Sequence, residues 1–167
     1  MKSPAKLALF EQTILPHLNA AYNLARWLTR NDQDAEDVVQ EAYLRAFRYF
    51  DGFQGGDGKA WLLAVVRNTY LTWRRREKDV AKVPFDEETH GSVQFVEKAI
   101  AGSLQDCLEL LPREYREVLV MRELEEMSYN EIAAVTSRPI GTVMSRLSRA
   151  RRRLQDCVTA RMKEAQR

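Results

Sequence analysis

The sequence predicts an all-α protein made of two small helical domains joined by a flexible linker. Apolar residues recur at helical spacing along most of the chain, whereas the alternation typical of strands is scarce. Of its 167 residues, 45% are hydrophobic, 30% are charged and only 7 are glycine, which is typical of a surface-rich helical protein. We assign residues 1–78 to the first domain, 79–95 to the linker and 96–167 to the second domain.

Capping residues and glycines divide the first domain into helices. Pro16 predicts the start of a second helix, because proline suits a first turn. Asn31 or Asp32 predicts the N-cap of a third helix. Residues 51–58 predict a loop, since four glycines within seven residues cannot sustain a helix. A helix resumes over residues 59–76, and its apolar face is formed by Leu62, Leu63, Val66 and Tyr70.

Helical periodicity fails over residues 79–95, where a proline, a glycine and an acidic run predict the linker. The second domain then predicts a helix ending near Leu110, followed by a break at Leu111 and Pro112. Another helix is expected over residues 113–126.

The C-terminal segment predicts a helix-turn-helix. Ser128 and Glu131 have the spacing of a capping box, and a short helix follows them. Residues 136–139 interrupt that helix, and a strongly basic one follows over residues 140–162. Its buried stripe is predicted to consist of Val143, Leu147, Ala150 and Leu154.

The opposite face of this basic helix predicts contact with duplex DNA. It carries Thr142, Ser145, Arg149 and Arg152, where small hydroxyls allow close approach and arginines can bind guanine edges or phosphates. Three further arginines flank this face and suit phosphates: Arg146, Arg151 and Arg153. The alternative is a solvated basic helix, but no acidic residue occurs over residues 132–155, whereas a solvated surface helix usually mixes acids with bases.

The first domain combines an acid-rich helix with aromatic residues interleaved among arginines. Rings and cations in this pattern suit single-stranded nucleic acid, because bases stack on the rings and cations hold the backbone. A glycine loop above such a helix can receive a base turned out of its stack. For Trp61 and Tyr70 the alternative is an ordinary core position. For the acidic helix the alternative is a solvent-exposed face without a binding role.

Other classes of protein find little support in the sequence. Cys107 and Cys157 form no C-x-x-C motif and are expected to remain thiols in a reducing compartment. The chain has only two cysteines and two histidines, His17 and His90, so neither a metal site nor a cofactor is expected. No nucleophile with an evident base and no phosphate loop supports an enzyme. The N-terminus is too short of apolar residues for a secretory signal and no apolar run could insert into a membrane, so a cytoplasmic protein is expected.

Several motifs in one order resemble bacterial sigma factors of the extracytoplasmic-function (ECF) group, which keep regions 2 and 4 of larger sigma factors. The matching stretches are residues 34–47, Trp61-Leu62, Arg67-Asn68-Thr69, Leu111-Pro112, Arg116-Glu117-Val118, residues 128–133 and residues 141–151. The resemblance implies region 2 in the first domain and region 4 in the second. It also implies a transcription initiation factor that is not an enzyme.

The resemblance implies roles for particular residues. The β′ coiled coil of core RNA polymerase would be bound by Asp37, Gln40, Glu41, Leu44 and Arg45, and the β flap is a further expected contact. The loop over residues 52–59 would capture a flipped base of the −10 element, and the −10 residues are Phe53, Gln54, Lys59, Trp61, Arg67, Asn68, Arg74 and Arg75. The −35 element would be read by Arg138, Thr142, Met144, Ser145, Arg146, Ser148, Arg149 and Arg152.

The resemblance also has implications for regulation, and two rival functions have to be weighed against it. It implies an anti-sigma factor as a further partner, which could hold the protein at the inner membrane in a stress response. Met144 stands where many relatives carry a basic residue, so the −35 sequence is not transferable from them. One rival is a stand-alone repressor or activator, which would leave the first domain unused. The other is a sigma mimic that sequesters an anti-sigma factor. Such mimics are usually fused to a receiver domain, and we expect none here.

Overall fold

The computed structural model describes residues 3–80 and 101–167, and every regular element within these ranges is helical. The linker predicted over residues 79–95 therefore lies almost wholly outside the described residues. The helices are α1 Pro4–Ile14, α2 Leu18–Thr29, α3 Asp32–Tyr49, α4 Gly58–Val80, α5 Ala101–Leu110, α6 Arg113–Leu119, α7 Tyr129–Thr136 and α8 Ile140–Ala165.

Helix boundaries in the first domain follow the capping residues, with one correction. Asn31 is the N-cap of α3, and its Oδ1 accepts a hydrogen bond from the Asp34 amide at 3.0 Å. Pro16 does not begin the second helix. It lies in a 3₁₀ turn over Leu15–His17 that follows α1 directly, and α2 begins one residue after this turn.

The core of the first domain contains the predicted face of α4. Leu62, Leu63, Val66 and Tyr70 are all buried. Phe10 of α1 is fully buried and makes edge-to-face contacts with Tyr43, Phe47 and Phe50 at centroid distances of 5.3, 5.1 and 5.2 Å. This aromatic cluster anchors the end of α3 directly before the glycine loop.

In the second domain the helix predicted to run to Glu126 ends earlier. After α6 the chain widens into a π turn over Val120–Leu124, and Met127 donates its amide to the Met121 carbonyl at 3.0 Å. Glu126 takes a left-handed conformation, with φ of 53°. The wider turn brings the Met127 side chain into the core, where it is 2% exposed.

The helix-turn-helix is formed by α7 and α8 as predicted. Ser128 and Glu131 complete both hydrogen bonds of the capping box, at 3.1 and 2.8 Å. Ser137 ends α7 in the left-handed conformation, and Pro139 is the N-cap of α8. The stripe predicted on α8 faces the core: Val143, Leu147 and Ala150 are buried and Leu154 is partly buried.

The prediction that both cysteines remain thiols is wrong for this structure. Cys107 of α5 and Cys157 of α8 form a disulfide, with their Cα atoms 5.9 Å apart. Because α5 packs against the C-terminal half of α8, residues separated by 50 positions come within the range that a disulfide spans. Sequence spacing gave no sign of this proximity.

The two domains pack against each other within the described residues. Helices α2 and α4 of the first domain contact α6, α7 and the π turn of the second. Charged residues lie at this contact, including a fully buried carboxylate, Glu117. The arrangement is referred to below as the closed pair.

Candidate nucleic-acid and polymerase interfaces

The predicted −35 reading face lies on the solvent side of α8. Ser145, Arg149 and Arg152 are exposed, and Thr142 is partly exposed. Within residues 3–78 and 104–167, Arg149 and Arg152 have no ion-pair partner. Two guanidinium groups on one exposed helix face are therefore available to bind an anion.

The flanking arginines of the second domain are held by other side chains. Arg151 donates to Glu123 Oε1 from Nη2 at 2.7 Å and from Nε at 3.1 Å, and these hydrogen bonds raise the pKa of its guanidinium. Arg153 lies over the ring of Tyr115 at 5.0 Å. Arg146 is 4.0 Å from a carboxylate oxygen of Glu114. These contacts orient the three arginines around the exposed face.

The other predicted −35 residues are exposed around the same helix. Arg138 lies in the turn before α8, while Met144 and Ser148 project from its first turns. Met144 is 51% exposed, and Ile140, one turn earlier on the same helix, is 41% exposed, so this part of the surface carries apolar side chains. The Met144 side chain can contact a thymine methyl group but cannot bind a phosphate.

The glycine loop is supported from below by aromatic rings. Phe53 stacks on Phe50 at 5.6 Å and makes an edge contact with Trp61 at 5.4 Å. Gly55 and Gly56 have φ of 88° and 91°, a conformation that favours glycine. Gln54 is exposed, and the open groove between this loop and α1 is lined by Lys6, Leu9, Thr13, Phe53, Gly55 and Gly56.

The core alternative holds for Tyr70 and only in part for Trp61. Tyr70 is 4% exposed and stacks on Trp73 at 6.1 Å, so it is a core residue. Trp61 is partly buried, with its ring against Phe50 and Phe53. Phe53 and Trp61 therefore retain some surface beside the loop.

Two predicted −10 residues are bound to acids of the second domain. Arg67 makes a bidentate pair with Glu117, at 2.8 Å from Nε to Oε2 and 3.1 Å from Nη2 to Oε1. Their side chains are only 9% and 0% exposed. Lys59 donates to the Glu125 carbonyl oxygen at 2.6 Å and is 3.2 Å from its Oε2. The closed pair therefore keeps both cations from outside anions.

The rest of the basic cluster on α4 is more accessible. Asn68 and Arg75 are exposed, and Arg74 is partly buried, with its Nη1 3.5 Å from the Tyr70 hydroxyl. The closed pair therefore covers Lys59 and Arg67 in the N-terminal half of α4 and leaves Arg75, towards its C-terminal end, at the surface.

The predicted polymerase-binding residues lie along one side of α3. Glu41 is 2.5 Å from Arg45 and 3.4 Å from Arg76, so its carboxylate joins two cations. Asp37 accepts a hydrogen bond from Gln33 at 3.4 Å. Gln40 is exposed, and Leu44 is 64% exposed although it is a large apolar residue. Charged and polar side chains therefore surround one exposed apolar side chain on this side of α3.

Sequence reasoning missed the acids and arginines that hold the closed pair together. Arg116 is buried and donates hydrogen bonds at 2.7 Å to the carbonyls of Trp27 in the first domain and Leu111 in the second. Burial lowers the pKa of Arg116 to about 10, which still leaves it charged at neutral pH. One signal for this contact was present in the sequence. Glu117 directly precedes the apolar residues 118–121, and a carboxylate that is buried with such residues requires a cationic partner.

Among residues 3–80 and 101–167, no helix is long and apolar enough to cross a membrane. In the same part of the chain, no group of three or more histidine, cysteine, aspartate or glutamate residues could hold a metal ion.

Two family models match the chain, one in each half. Residues 13–80 match the family Sigma-70 region 2, and residues 101–154 match Sigma-70, region 4. The chain therefore belongs to the sigma-70 family of bacterial RNA polymerase sigma factors. Its relatives place it in the ECF group, whose members are transcription initiation factors.

Three curated relatives illustrate the similarity. The chain is 30% identical to the RNA polymerase sigma-H factor of Pseudomonas aeruginosa, over 93% of this chain and 89% of the relative. It is 33% identical to the ECF RNA polymerase sigma-E factor of Escherichia coli (strain K12), over 75% and 74%. It is 31% identical to the ECF RNA polymerase sigma factor SigE of Mycolicibacterium smegmatis, covering 91% of this chain but only 62% of that relative.

Two solved structures share the fold. The sigma factor RpoE in complex with the anti-sigma factor NepR, from Bartonella quintana, superposes with a TM-score of 0.73 at 29% identity, covering 90% of this chain and 96% of that one. CnrH in complex with the cytosolic domain of CnrY gives a TM-score of 0.62 at 25% identity, covering 90% and 88%.

Proposed function

We propose that the chain binds core RNA polymerase and directs it to promoters in which a −35 element is read as duplex and a −10 element as a melted strand. The observation that carries this proposal is the presence of two differently built nucleic-acid surfaces on one chain. The reading face of α8 suits a groove, and the aromatic-backed glycine loop suits an unstacked base. A stand-alone repressor would need only the first of these surfaces.

The acidic side of α3 supports a polymerase contact. Asp37, Gln40, Glu41 and Arg45 surround the exposed Leu44, which gives a charged rim around an apolar centre. We assign this surface to the β′ coiled coil and the second domain to the β flap. The protein would act in the cytoplasm, where the polymerase is, and would need no cofactor.

Strand opening would be driven by binding energy without covalent chemistry. Unstacking a flipped base costs a few kcal/mol, and stacking it on an aromatic ring returns about 1–3 kcal/mol. Contacts from the α8 arginines to phosphates would position the duplex and would weaken as salt rises.

The closed pair implies that promoter binding requires a rearrangement. Lys59 and Arg67 can hold a DNA backbone only after they leave Glu125 and Glu117. Polymerase that binds the two domains apart would supply the energy for this exchange. An anti-sigma factor that binds the closed pair would oppose it, and the similar structure from Bartonella quintana is of a sigma factor in complex with an anti-sigma factor.

Replacing Arg149 with Ala is expected to weaken binding to the −35 duplex by about 1–3 kcal/mol, because one bidentate base contact is lost. The measurement is fluorescence anisotropy with polymerase holoenzyme and a labelled promoter duplex. Lys163→Ala is the control, since Lys163 lies exposed near the far end of the same helix. An unchanged preference for the −35 sequence in the Arg149 variant would contradict the assignment of the reading face.

The direct test of the function is transcription with bacterial core polymerase and promoter fragments from the source genome. Transcripts that start at defined promoters and require both the chain and the core enzyme are expected. Tight promoter binding by the chain alone, without any transcript, would favour a repressor. Failure of both assays would favour a sigma mimic that only binds an anti-sigma factor.

A further inference from the structure

The disulfide joins the two ends of the second domain. Cys107 lies near the end of α5 and is 1% exposed, whereas Cys157, in the C-terminal half of α8, is only partly buried. An ion pair between Asp106 and Arg161, at 3.2 Å, reinforces the same contact. The sulfur of Cys157 is therefore the one that a reagent from solution reaches first.

The end of α5 also belongs to the contact between the domains. The carbonyl oxygen of Glu109 accepts hydrogen bonds from Arg30 of the first domain at 3.3 Å and from Arg116 at 3.2 Å. The Glu109 carboxylate lies 3.7 Å from Arg26. Through Glu109, α5 therefore contributes directly to the contact with α2, and Arg116 of α6 adds a hydrogen bond to the Trp27 carbonyl.

We propose that Cys107 and Cys157 are a reversible thiol–disulfide couple, and that the oxidised form stabilises the closed pair by fixing α5 to α8. When α5 is fixed, the carboxylate and carbonyl oxygens of Glu109 are already positioned for Arg26 and Arg30. Closure of the two domains then loses less conformational entropy, because fewer groups have to be ordered. This proposal rests on the proposed function, because a transcription factor works in a reducing compartment, where a disulfide is transient or redox-sensing.

The couple needs a low-molecular-weight disulfide as its oxidant. The Cys157 thiolate attacks one sulfur of that disulfide, forms a mixed disulfide and releases one thiolate. The Cys107 thiolate then attacks the Cys157 sulfur, forms the internal disulfide and releases the second thiolate. Each protein thiol loses one proton, and two electrons pass from the protein to the small disulfide, which leaves as two thiols.

The experiment equilibrates the full chain in glutathione buffers of increasing oxidised fraction and counts free thiols by alkylation and mass spectrometry. The same samples are titrated with a labelled single-stranded −10 probe. We expect the chain to pass from two free thiols to none, and the oxidised form to bind the probe at least about fivefold more weakly. Cys107→Ser, Cys157→Ser and the double variant are expected to bind like the reduced wild type in every buffer.

Three outcomes would overturn the proposal: an internal disulfide that persists in reduced glutathione, thiols that stay free in oxidised glutathione, or equal probe affinity of the two forms. Thermal melting checks folding, and the oxidised wild type should melt at least about 5 °C above the double variant. Transcription by the reduced wild type with core polymerase separates the two proposals. If the reduced wild type gives no transcript, the proposed function is wrong. If it gives transcripts but both redox forms bind the probe equally, only the redox control is wrong.

Discussion

Replacing Glu117 with Ala is expected to open the closed pair and to expose Arg67. If the domains stayed together, Arg67 would keep a buried charge without its carboxylate, which costs about 3–5 kcal/mol. Opening avoids this cost because water then solvates the guanidinium. We therefore expect the variant to bind a single-stranded −10 probe more tightly than the wild type does, and to lose interdomain protection in hydrogen exchange.

The control for Glu117→Ala is Glu123→Ala. Glu123 pairs with Arg151 at 2.7 Å, but both side chains are about half exposed, so removing this carboxylate should change the free energy of unfolding by less than about 1 kcal/mol. It should leave probe binding unchanged. If the two variants had the same small effect on stability and probe binding, the Arg67–Glu117 pair would not hold the domains together.

Replacing Leu147 with Ala is expected to lower the free energy of unfolding of the second domain by about 2–5 kcal/mol, because it leaves a cavity under the reading helix. Leu147 is 1% exposed and lies between Val143 and Ala150 on the buried stripe of α8. Chemical denaturation followed by circular dichroism measures this loss.

The matched control for Leu147→Ala is Met144→Ala on the same helix. Met144 is 51% exposed, so its truncation should change stability by no more than about 0.5 kcal/mol. We expect Met144→Ala to alter only the −35 preference, since its side chain stands on the reading face. Equal destabilisation by the two variants would mean that the inner and outer faces of α8 are misassigned.

The helices that the sequence predicted best are those with both apolar periodicity and a local signal for the helix start. The Ser128 and Glu131 capping box and the apolar stripe of α8 located the helix-turn-helix, because both depend on neighbours within one or two turns. The end of α6 was predicted too late. The π turn and the left-handed Glu126 accompany the burial of Met127, which depends on packing against distant residues, and no residue type at these positions predicts them.

Contacts between distant segments account for the rest of what the sequence left open. The Arg67–Glu117 pair joins residues 50 positions apart, and the two cysteines are separated by the same number of positions. Arginines on α4 predict nucleic-acid binding whether or not an acid from elsewhere covers them. The sequence therefore suggested candidate site residues, but it did not predict the conformation in which acids of the second domain pair with two of them, Lys59 and Arg67.

The central claim is that the free chain is a closed pair in which the second domain covers cations of the first. Small-angle X-ray scattering of the purified chain tests it most directly. A compact chain of this length has a radius of gyration of about 15 Å, whereas two domains separated by the predicted linker would exceed about 20 Å. We expect the compact value for the wild type and the larger value for Glu117→Ala. A wild type that already shows the larger value, equal to that of the variant, would contradict the account.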